Sequence, residues 1–224
     1  MNKIYLLGDS TCQTNNEDTY PQTGWGQLLN LFVNENYEVV NLAKNGRSTK
    51  SFIDEGLFEI CKNNLKENDI VIIQFGHNDE KDDVLRHTDP YSTYQENLSY
   101  FIDTARKNNA IPILISSIYR RTFDENGKLK LNSHGEYPNA MKDLANKKNV
   151  LFIDMCQITF DWLTSIGNEN SKQYFMNFGP NIYSNYLDGK EDNTHLRYEG
   201  ALLICQMIVD QLSKNNLKFI LKEK

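Results

Sequence analysis

The residues of this chain best suited to chemistry are a serine near one end and an aspartate–histidine pair near the other. Gly8-Asp9-Ser10-Thr11 follows a short apolar run, and Asp192-Asn193-Thr194-His195 precedes the last amphipathic segment. A serine hydroxyl attacks well only when a base lies within hydrogen-bond reach. An imidazole whose second nitrogen is held by a carboxylate is such a base. Ser10, His195 and Asp192 are therefore candidate catalytic residues for acyl transfer.

Each motif alone has a simpler structural explanation. A Gly-Asp-Ser sequence after a strand is typical of a plain turn. Asp192 or Thr194 could cap a helix and leave His195 merely exposed. His87 and His134 lie in segments typical of the protein surface, which leaves His195 as the base best placed for Ser10. The motifs are more specific together, because all follow strands or lead into a helix at one edge of a sheet.

Two further loops carry groups suited to the same chemistry. Lys44-Asn45-Gly46-Arg47-Ser48 follows the second apolar run, and Gly76-His77-Asn78-Asp79 follows the third. Taken alone, an Asn-Gly pair indicates only a residue with positive φ. Near a nucleophile, however, glycine lets a backbone N–H approach closely, and asparagine supplies a neutral donor that does not titrate.

Alternating apolar runs and helical patterns would position these loops. The apolar runs have little polar content, as expected of strands covered on both faces in a parallel sheet. Helical spacing marks Tyr91–Asn108 and a last helix over about His195–Ser213. The alternation predicts a three-layer α/β/α sandwich, flavodoxin-like, with a five-stranded parallel sheet. The predicted strands are Lys3–Leu7, Glu38–Asn41, Asp69–Phe75, Ala110–Ser116 and Val150–Asp154.

No repeat, linker or low-complexity tract interrupts this pattern, so residues 1–224 are expected to form one domain. Two segments depart from it. Thr122–Asn132 contains Asn126-Gly127 between short runs, which predicts a surface hairpin or arm. Gly167–Glu191 is long, polar and aromatic, which predicts a loop with a functional role.

The composition of the chain limits the kinds of partner that the protein is expected to bind. The net charge of −6 without a basic run disfavours nucleic acid as a partner, and no apolar run reaches the length of a membrane span. No signal peptide precedes Gly8, which favours a cytoplasmic protein. The four scattered cysteines are expected to be free thiols and do not suggest a metal site. The sequence gives no indication of the oligomeric state.

The chain resembles the SGNH (GDSL-type) hydrolase superfamily and, within it, the rhamnogalacturonan acetylesterase family. The Gly-His-Asn-Asp and Gly-Arg-Ser forms point to that family rather than to lipase-like members. The resemblance extends over nearly the whole chain. Its motifs are Ile4-Tyr5-Leu6-Leu7-Gly8-Asp9-Ser10-Thr11, Gly24-Trp25-Gly26, Asn45-Gly46-Arg47-Ser48, Ser51-Phe52-Ile53-Asp54-Glu55-Gly56, Gln74-Phe75-Gly76-His77-Asn78-Asp79, Arg120-Arg121, Asp192-Asn193-Thr194-His195 and Gly200-Ala201.

The resemblance implies a serine esterase that removes acetyl groups from sugars through an acyl-enzyme intermediate, without a cofactor or metal. It places the oxyanion hole at the backbone N–H groups of Ser10 and Gly46 and the side-chain amide of Asn78. It favours acetylated pectic rhamnogalacturonan fragments, met by an intracellular enzyme as small-molecule or oligosaccharide acetyl esters. His77 is expected to orient or pack, because the triad needs only one imidazole.

Selectivity must come from the alcohol side, because an acetyl group offers little to recognise. Arg47 and Arg120, with Lys50 and Arg121, could attract a uronate carboxylate, although surface solvation explains any one of them. Aromatic residues of 167–191, including Phe178 and Tyr183, could form a sugar-stacking wall or simply fix their loop.

Two other functions stay open. A lysophospholipase or thioesterase of the same superfamily would prefer long acyl esters. A non-catalytic flavodoxin-like binding module would share the strand pattern. Such a module has no need for Ser10, Asn78, Asp192 and His195 together, and the chain has no GxGxxG fingerprint for a dinucleotide.

Overall fold

Five short strands form a parallel sheet in the computed structural model, which describes residues 1–223. The sheet order is β2-β1-β3-β4-β5, as in flavodoxin-like folds. The prediction of a parallel five-stranded α/β fold is confirmed, and every predicted strand is present with slightly different ends. The strands are β1 (Asn2–Gly8), β2 (Tyr37–Asn41), β3 (Ile70–Gln74), β4 (Ile111–Ile115) and β5 (Leu151–Ile153).

The strand register brings the carboxyl ends of β1, β2 and β3 to one edge of the sheet. Gly8, the last residue of β1, lies opposite Gln74, the last residue of β3. On the other side of β1, Leu6 lies opposite Asn41 at the end of β2. Every residue of β3 is buried, as expected for a strand covered on both faces. The loops that follow these three strands therefore emerge side by side.

Helices cover both faces of the sheet and complete the three layers. One apolar core lies between the sheet and α1 to α4, and the other lies between the sheet, α5, α6 and a 3₁₀ helix at Trp25–Leu31. The helices are α1 (Thr49–Asp54), α2 (Leu57–Lys62), α3 (Gln95–Lys107), α4 (Tyr137–Lys148), α5 (Met155–Ser171) and α6 (Tyr198–Lys214). Within residues 1–223, none of the helices has the length and apolar character needed to cross a bilayer.

A second, two-stranded sheet was not foreseen from the sequence. Strand β6 (Phe175–Phe178) pairs antiparallel with β7 (Lys190–Leu196). The prediction that Gly167–Glu191 is one long loop is therefore wrong, because the segment begins at a helix break within α5, where Gly167 has φ +76°, and contains the rest of α5 and β6. The last helix, predicted over about His195–Ser213, is present but starts later. Backbone pairing with β6 keeps His195 extended, and α6 begins only at Tyr198.

Other local predictions hold with small changes. The helix expected over Tyr91–Asn108 starts later, because a short π-helical turn at Pro90–Tyr94 precedes α3. Thr122–Asn132 forms the expected hairpin, in which Phe123 pairs with Leu129. All four cysteines are free thiols.

Candidate active site

Ser10 lies in a tight turn directly after β1. The Oδ1 atom of Asp9 accepts hydrogen bonds from the backbone N–H and the hydroxyl of Thr11, both at 2.9 Å. The backbone N–H of Cys12 bonds back to the carbonyl oxygen of Asp9 at 3.2 Å. These bonds fix the backbone on both sides of Ser10, as the turn chemistry of the sequence suggests. The serine is thereby held at the carboxyl edge of the sheet.

His195 and Asp192 meet Ser10 although they lie far away in the chain. The Nε2 atom of His195 lies 2.9 Å from Ser10 Oγ, and its Nδ1 atom lies 2.8 Å from Asp192 Oδ2. The other carboxylate oxygen of Asp192 accepts the backbone N–H groups of Thr194 at 2.8 Å and His195 at 3.0 Å. The structure thus joins the three predicted catalytic side chains in one hydrogen-bonded chain.

The environment of Asp192 fixes which nitrogen of His195 carries a proton. Burial by itself would raise the pKa of the Asp192 carboxyl, but the hydrogen bonds from His195 and Thr194 outweigh it and lower the pKa to about 2. The carboxylate is therefore ionised at neutral pH and accepts the Nδ1 proton of the imidazole. Nε2 then has a free lone pair directed at the Ser10 hydroxyl, as a general base requires.

The small sheet and Arg121 hold the aspartate–histidine segment in place. The Arg121 guanidinium donates to Asn193 Oδ1 at 2.5 Å and to Asn168 Oδ1 at 2.6 Å, and its backbone N–H donates to the carbonyl oxygen of Asn193 at 2.8 Å. The side chain is only 4% exposed. The suggestion that Arg121 attracts a uronate is therefore wrong, because its guanidinium is buried and bonded within the protein.

Gly46 and Asn78 lie on the loops that follow the two strands flanking β1. Gly46 has a φ of +76°, which favours glycine, and a Cβ built there would meet nothing within 4 Å. Asn78 is buried, and its Nδ2 donates to the carbonyl oxygen of Arg47 at 3.1 Å. Both predicted oxyanion donors therefore lie at the same sheet edge as Ser10.

Asp79 ties these two loops together. Its Oδ1 accepts the backbone N–H of Thr49 at 3.0 Å, the Thr49 hydroxyl at 2.5 Å and the Thr88 hydroxyl at 3.1 Å. Thr49 is the first residue of α1, directly after the Gly46 loop. Burial raises the pKa of the Asp79 carboxyl to about 7, although these hydrogen bonds partly oppose the rise. The structural role predicted for Asp79 agrees with this geometry.

His77 packs against a second histidine that the sequence had not placed here. The His77 and His134 rings meet edge to face with centroids 4.5 Å apart. The expectation that His134 lies on the surface is wrong. It is 2% exposed, and its Nε2 bonds to the carbonyl oxygen of Ile118 at 2.8 Å. Burial and the nearby charge of His134 hold the pKa of His77 well below its usual value, so His77 is neutral.

Arg120 and Arg47 both have protein partners. Arg120 forms an ion pair with Glu80 and also donates to the carbonyl oxygens of Ser133 at 2.8 Å and His77 at 3.3 Å. Arg47 is more exposed and pairs with Glu55 at 2.7 Å. Glu80 was missed from the sequence, although it directly follows the Gly-His-Asn-Asp motif. Arg120 thus braces the loop that carries Asn78.

Phe178 and Tyr183 contact each other. Their ring centroids lie 4.7 Å apart, and Tyr183 also meets Tyr20 edge to face at 5.6 Å. Tyr186 packs on Phe178 at 5.7 Å from the same loop. These contacts favour the simpler of the two predicted roles, in which the aromatic residues fix the loop between β6 and β7. Tyr20, which the sequence analysis had not singled out, keeps most of its ring exposed.

The fold and this arrangement are those of a GDSL-type serine hydrolase. The chain belongs to the GDSL-like Lipase/Acylhydrolase family, which matches residues 6–201. It is 40% identical over 215 residues to the rhamnogalacturonan acetylesterase RhgT of Bacillus subtilis, covering 96% of this chain and 91% of the relative. The resemblance and the class of serine esterase expected from the sequence are thereby confirmed.

Two solved structures share the fold. The protein YxiM of Bacillus subtilis superposes with a TM-score of 0.79 at 24% identity, covering 96% of this chain and 57% of that longer chain. A catalytic mutant of Axe2, an acetylxylan esterase of Geobacillus stearothermophilus, superposes with a TM-score of 0.64 at 16% identity. That match covers 100% of this chain and 97% of the other. At these identities the likeness supports the architecture alone.

Proposed function

We propose that this chain is a carbohydrate esterase that removes acetyl groups from acetylated sugars, in particular pectic rhamnogalacturonan fragments. The observation that carries the proposal is the hydrogen-bonded chain from Ser10 through His195 to Asp192, with links of 2.9 and 2.8 Å. The choice of sugar acetate rests on the likeness to RhgT, which is named a rhamnogalacturonan acetylesterase.

The geometry supports a two-step acyl transfer. Ser10 Oγ attacks the acetyl carbonyl carbon while its proton passes to His195 Nε2. The tetrahedral intermediate collapses when the bond to the sugar oxygen breaks, and His195 gives its proton to that oxygen, which leaves as the sugar hydroxyl. Water then attacks the acetyl group on Ser10 by the same route and releases acetate. Asp192 stays ionised throughout and stabilises the imidazolium that forms in each step.

Three donors are proposed to stabilise the negative oxygen of the intermediate. They are the backbone N–H groups of Ser10 and Gly46 and the second N–H of the Asn78 side chain. Asn78 uses one N–H on the Arg47 carbonyl, which leaves the other free for the substrate. One such donor typically contributes about 3 kcal/mol to transition-state stabilisation.

An acetate-release panel tests the proposed function. Purified protein and the Ser10→Ala variant are incubated with acetylated rhamnogalacturonan fragments, acetylated xylan and a long-chain acyl ester, and free acetate or fatty acid is measured. We expect the unmodified protein to release acetate from the rhamnogalacturonan fragments and the Ser10→Ala variant to release none. Faster cleavage of the long-chain ester would favour a lysophospholipase or thioesterase. Release from xylan but not from rhamnogalacturonan would contradict the substrate.

A further inference from the structure

A polar depression of about 630 Å³ opens at the surface of the protein. Its lining comes from the segment that follows the Ser10 turn and from the loop between β6 and β7. We call it the polar groove and define it by six of its lining residues. These are Asn15, Glu17, Asp18, Tyr20, Gln22 and Ser184.

Hydrogen bonds connect the polar groove to the catalytic loops on two sides. Gln13, two residues before Asn15, accepts the backbone N–H of Asn45, the neighbour of Gly46. At the other end, Thr23 donates its backbone N–H at 2.9 Å to the carbonyl oxygen of Leu196, the neighbour of His195. The segments that line the groove are therefore bonded to the direct chain neighbours of Gly46 and His195.

The walls of the groove are fixed by bonds between side-chain amides and backbone. Asn15 Oδ1 accepts from the side chains of Gln13 and Gln22, each at 3.3 Å. From the opposite wall, Asn185 Nδ2 donates to the carbonyl oxygens of Glu17 at 2.7 Å and Tyr20 at 3.0 Å. Two segments far apart in the chain thus form one rigid surface, and a preorganised surface loses little entropy when it binds a ligand.

The exposed groups in the groove match the chemistry of a sugar. Tyr20 is 58% exposed, with its ring edge supported by Tyr183. An aromatic ring packs on the C–H face of a sugar, while amide, hydroxyl and carboxylate groups bond to the sugar hydroxyls. Glu17 and Asp18 are the charged members of the lining, and within residues 1–223 no cationic side chain joins them there. Two carboxylates repel a uronate and leave a neutral sugar as the favoured ligand.

We propose that the polar groove is a binding subsite for a neutral sugar residue next to the acetylated residue of an oligosaccharide substrate. This inference rests on the proposed function, because it assumes an acetylated oligosaccharide at Ser10. It adds that selectivity against uronates on this side comes from Glu17 and Asp18, and that affinity comes from Tyr20.

Two variants with matched controls test the subsite. Tyr20→Ala removes the exposed ring and is compared with Tyr100→Ala on α3, in the opposite helix layer. Glu17→Lys reverses a charge in the groove and is compared with Glu67→Lys, an exposed residue just before β3, at the other edge of the sheet. For each protein, kcat/KM is measured with para-nitrophenyl acetate, an acetylated xylo-oligosaccharide and an acetylated oligogalacturonate of equal length.

For each protein we divide kcat/KM for the xylo-oligosaccharide by kcat/KM for para-nitrophenyl acetate. We expect Tyr20→Ala to lower this quotient roughly five- to tenfold, because KM for the xylo-oligosaccharide rises. Glu17→Lys is expected to raise kcat/KM for the oligogalacturonate several-fold relative to kcat/KM for the xylo-oligosaccharide. Neither control variant should change its corresponding ratio. If both oligosaccharides are deacetylated but these ratios stay at the unmodified value, the subsite is wrong and the proposed function stands. If neither oligosaccharide releases acetate while para-nitrophenyl acetate is cleaved, the neutral-sugar subsite is wrong, and the rhamnogalacturonan arm of the acetate-release panel decides the proposed function.

Discussion

The side chain of Asn78 donates a hydrogen bond to the carbonyl oxygen of Arg47, at 3.1 Å. This bond joins the loops after β2 and β3, each of which carries one proposed oxyanion donor. The Arg86 guanidinium contacts the other amide atom, Asn78 Oδ1, at 3.4 Å and so orients the group. The free N–H of Asn78 is held in one direction before any substrate arrives, which is the condition under which such donors are most effective.

Removing this amide should slow the chemical step. We expect Asn78→Ala to lower kcat for para-nitrophenyl acetate by about 10²- to 10³-fold with little change in KM, because the donor acts mainly in the transition state. Steady-state kinetics measure both constants. Asn139→Ala, at an exposed position in α4, is the matched control and should behave like the unmodified protein. A loss confined to KM would show that Asn78 only binds the ground state.

Neutralising Asp192 should lower turnover strongly, although the substitution changes the shape of the side chain very little. In Asp192→Asn an amide replaces the carboxylate that accepts the Nδ1 proton of His195, so the wrong tautomer is favoured. We expect kcat to fall by about 10³- to 10⁴-fold. Asp188→Asn, an exposed change in the loop just before β7, should leave kcat within twofold of the unmodified value. Near-normal turnover in Asp192→Asn would remove the aspartate from the mechanism.

Asp192 should contribute no step to the acid side of the pH profile. The pKa of Asp192 is about 2, so its charge does not change over the working range. An imidazole accepts a proton from the serine only when it is neutral. We expect log kcat/KM to fall with a single slope of about one on the acid side. A rate that is flat down to pH 4 would contradict a histidine base.

Asp79 should make folding stability depend on pH. Its pKa is raised from 3.8 to about 7 in the folded protein, so between about pH 4 and pH 7 the unfolded chain loses a proton that the folded protein keeps. The free energy of unfolding therefore falls as pH rises through this window, by about 4 kcal/mol at most. Below pH 4 the carboxyl is protonated in both states and its contribution is fully present.

Urea unfolding at several pH values measures this effect. In Asp79→Asn the free energy of unfolding should fall less between pH 4 and pH 7 than in the unmodified protein, because the variant has no proton to exchange at this site. Asp82→Asn, at an exposed position nearby, should keep the slope of the unmodified protein. Equal slopes in all three proteins would show that Asp79 is ionised in the folded state.

The strands and the three site-bearing loops could be predicted because each depends on local sequence. Continuous apolar runs give buried parallel strands, and the turn residues after them give loops at one edge. The surroundings of His195 could not be predicted in this way. Its extended conformation depends on pairing with Phe175–Phe178, and no local pattern in the chain marks that contact.

The burial of His134 could not be predicted for a similar reason. His134 lies in a polar stretch that is typical of the surface, yet it is buried beside His77, which comes from a distant part of the chain. The Nδ1 atom of His134 lies 3.4 Å from a carboxylate oxygen of Glu80, which is also distant in the chain. Long-range polar contacts of this kind leave no periodic signal in the sequence.

The central claim is that the Ser10 hydroxyl is the nucleophile and that His195 activates it. Labelling with a fluorophosphonate followed by peptide mass spectrometry tests this most directly, because the reagent bonds only to an activated serine. We expect one label per chain, on Ser10, none in Ser10→Ala, and labelling slowed by at least about a hundredfold in His195→Ala. Full labelling on another residue would contradict the claim that Ser10 is the nucleophile. An unchanged labelling rate in His195→Ala would contradict the claim that His195 activates it.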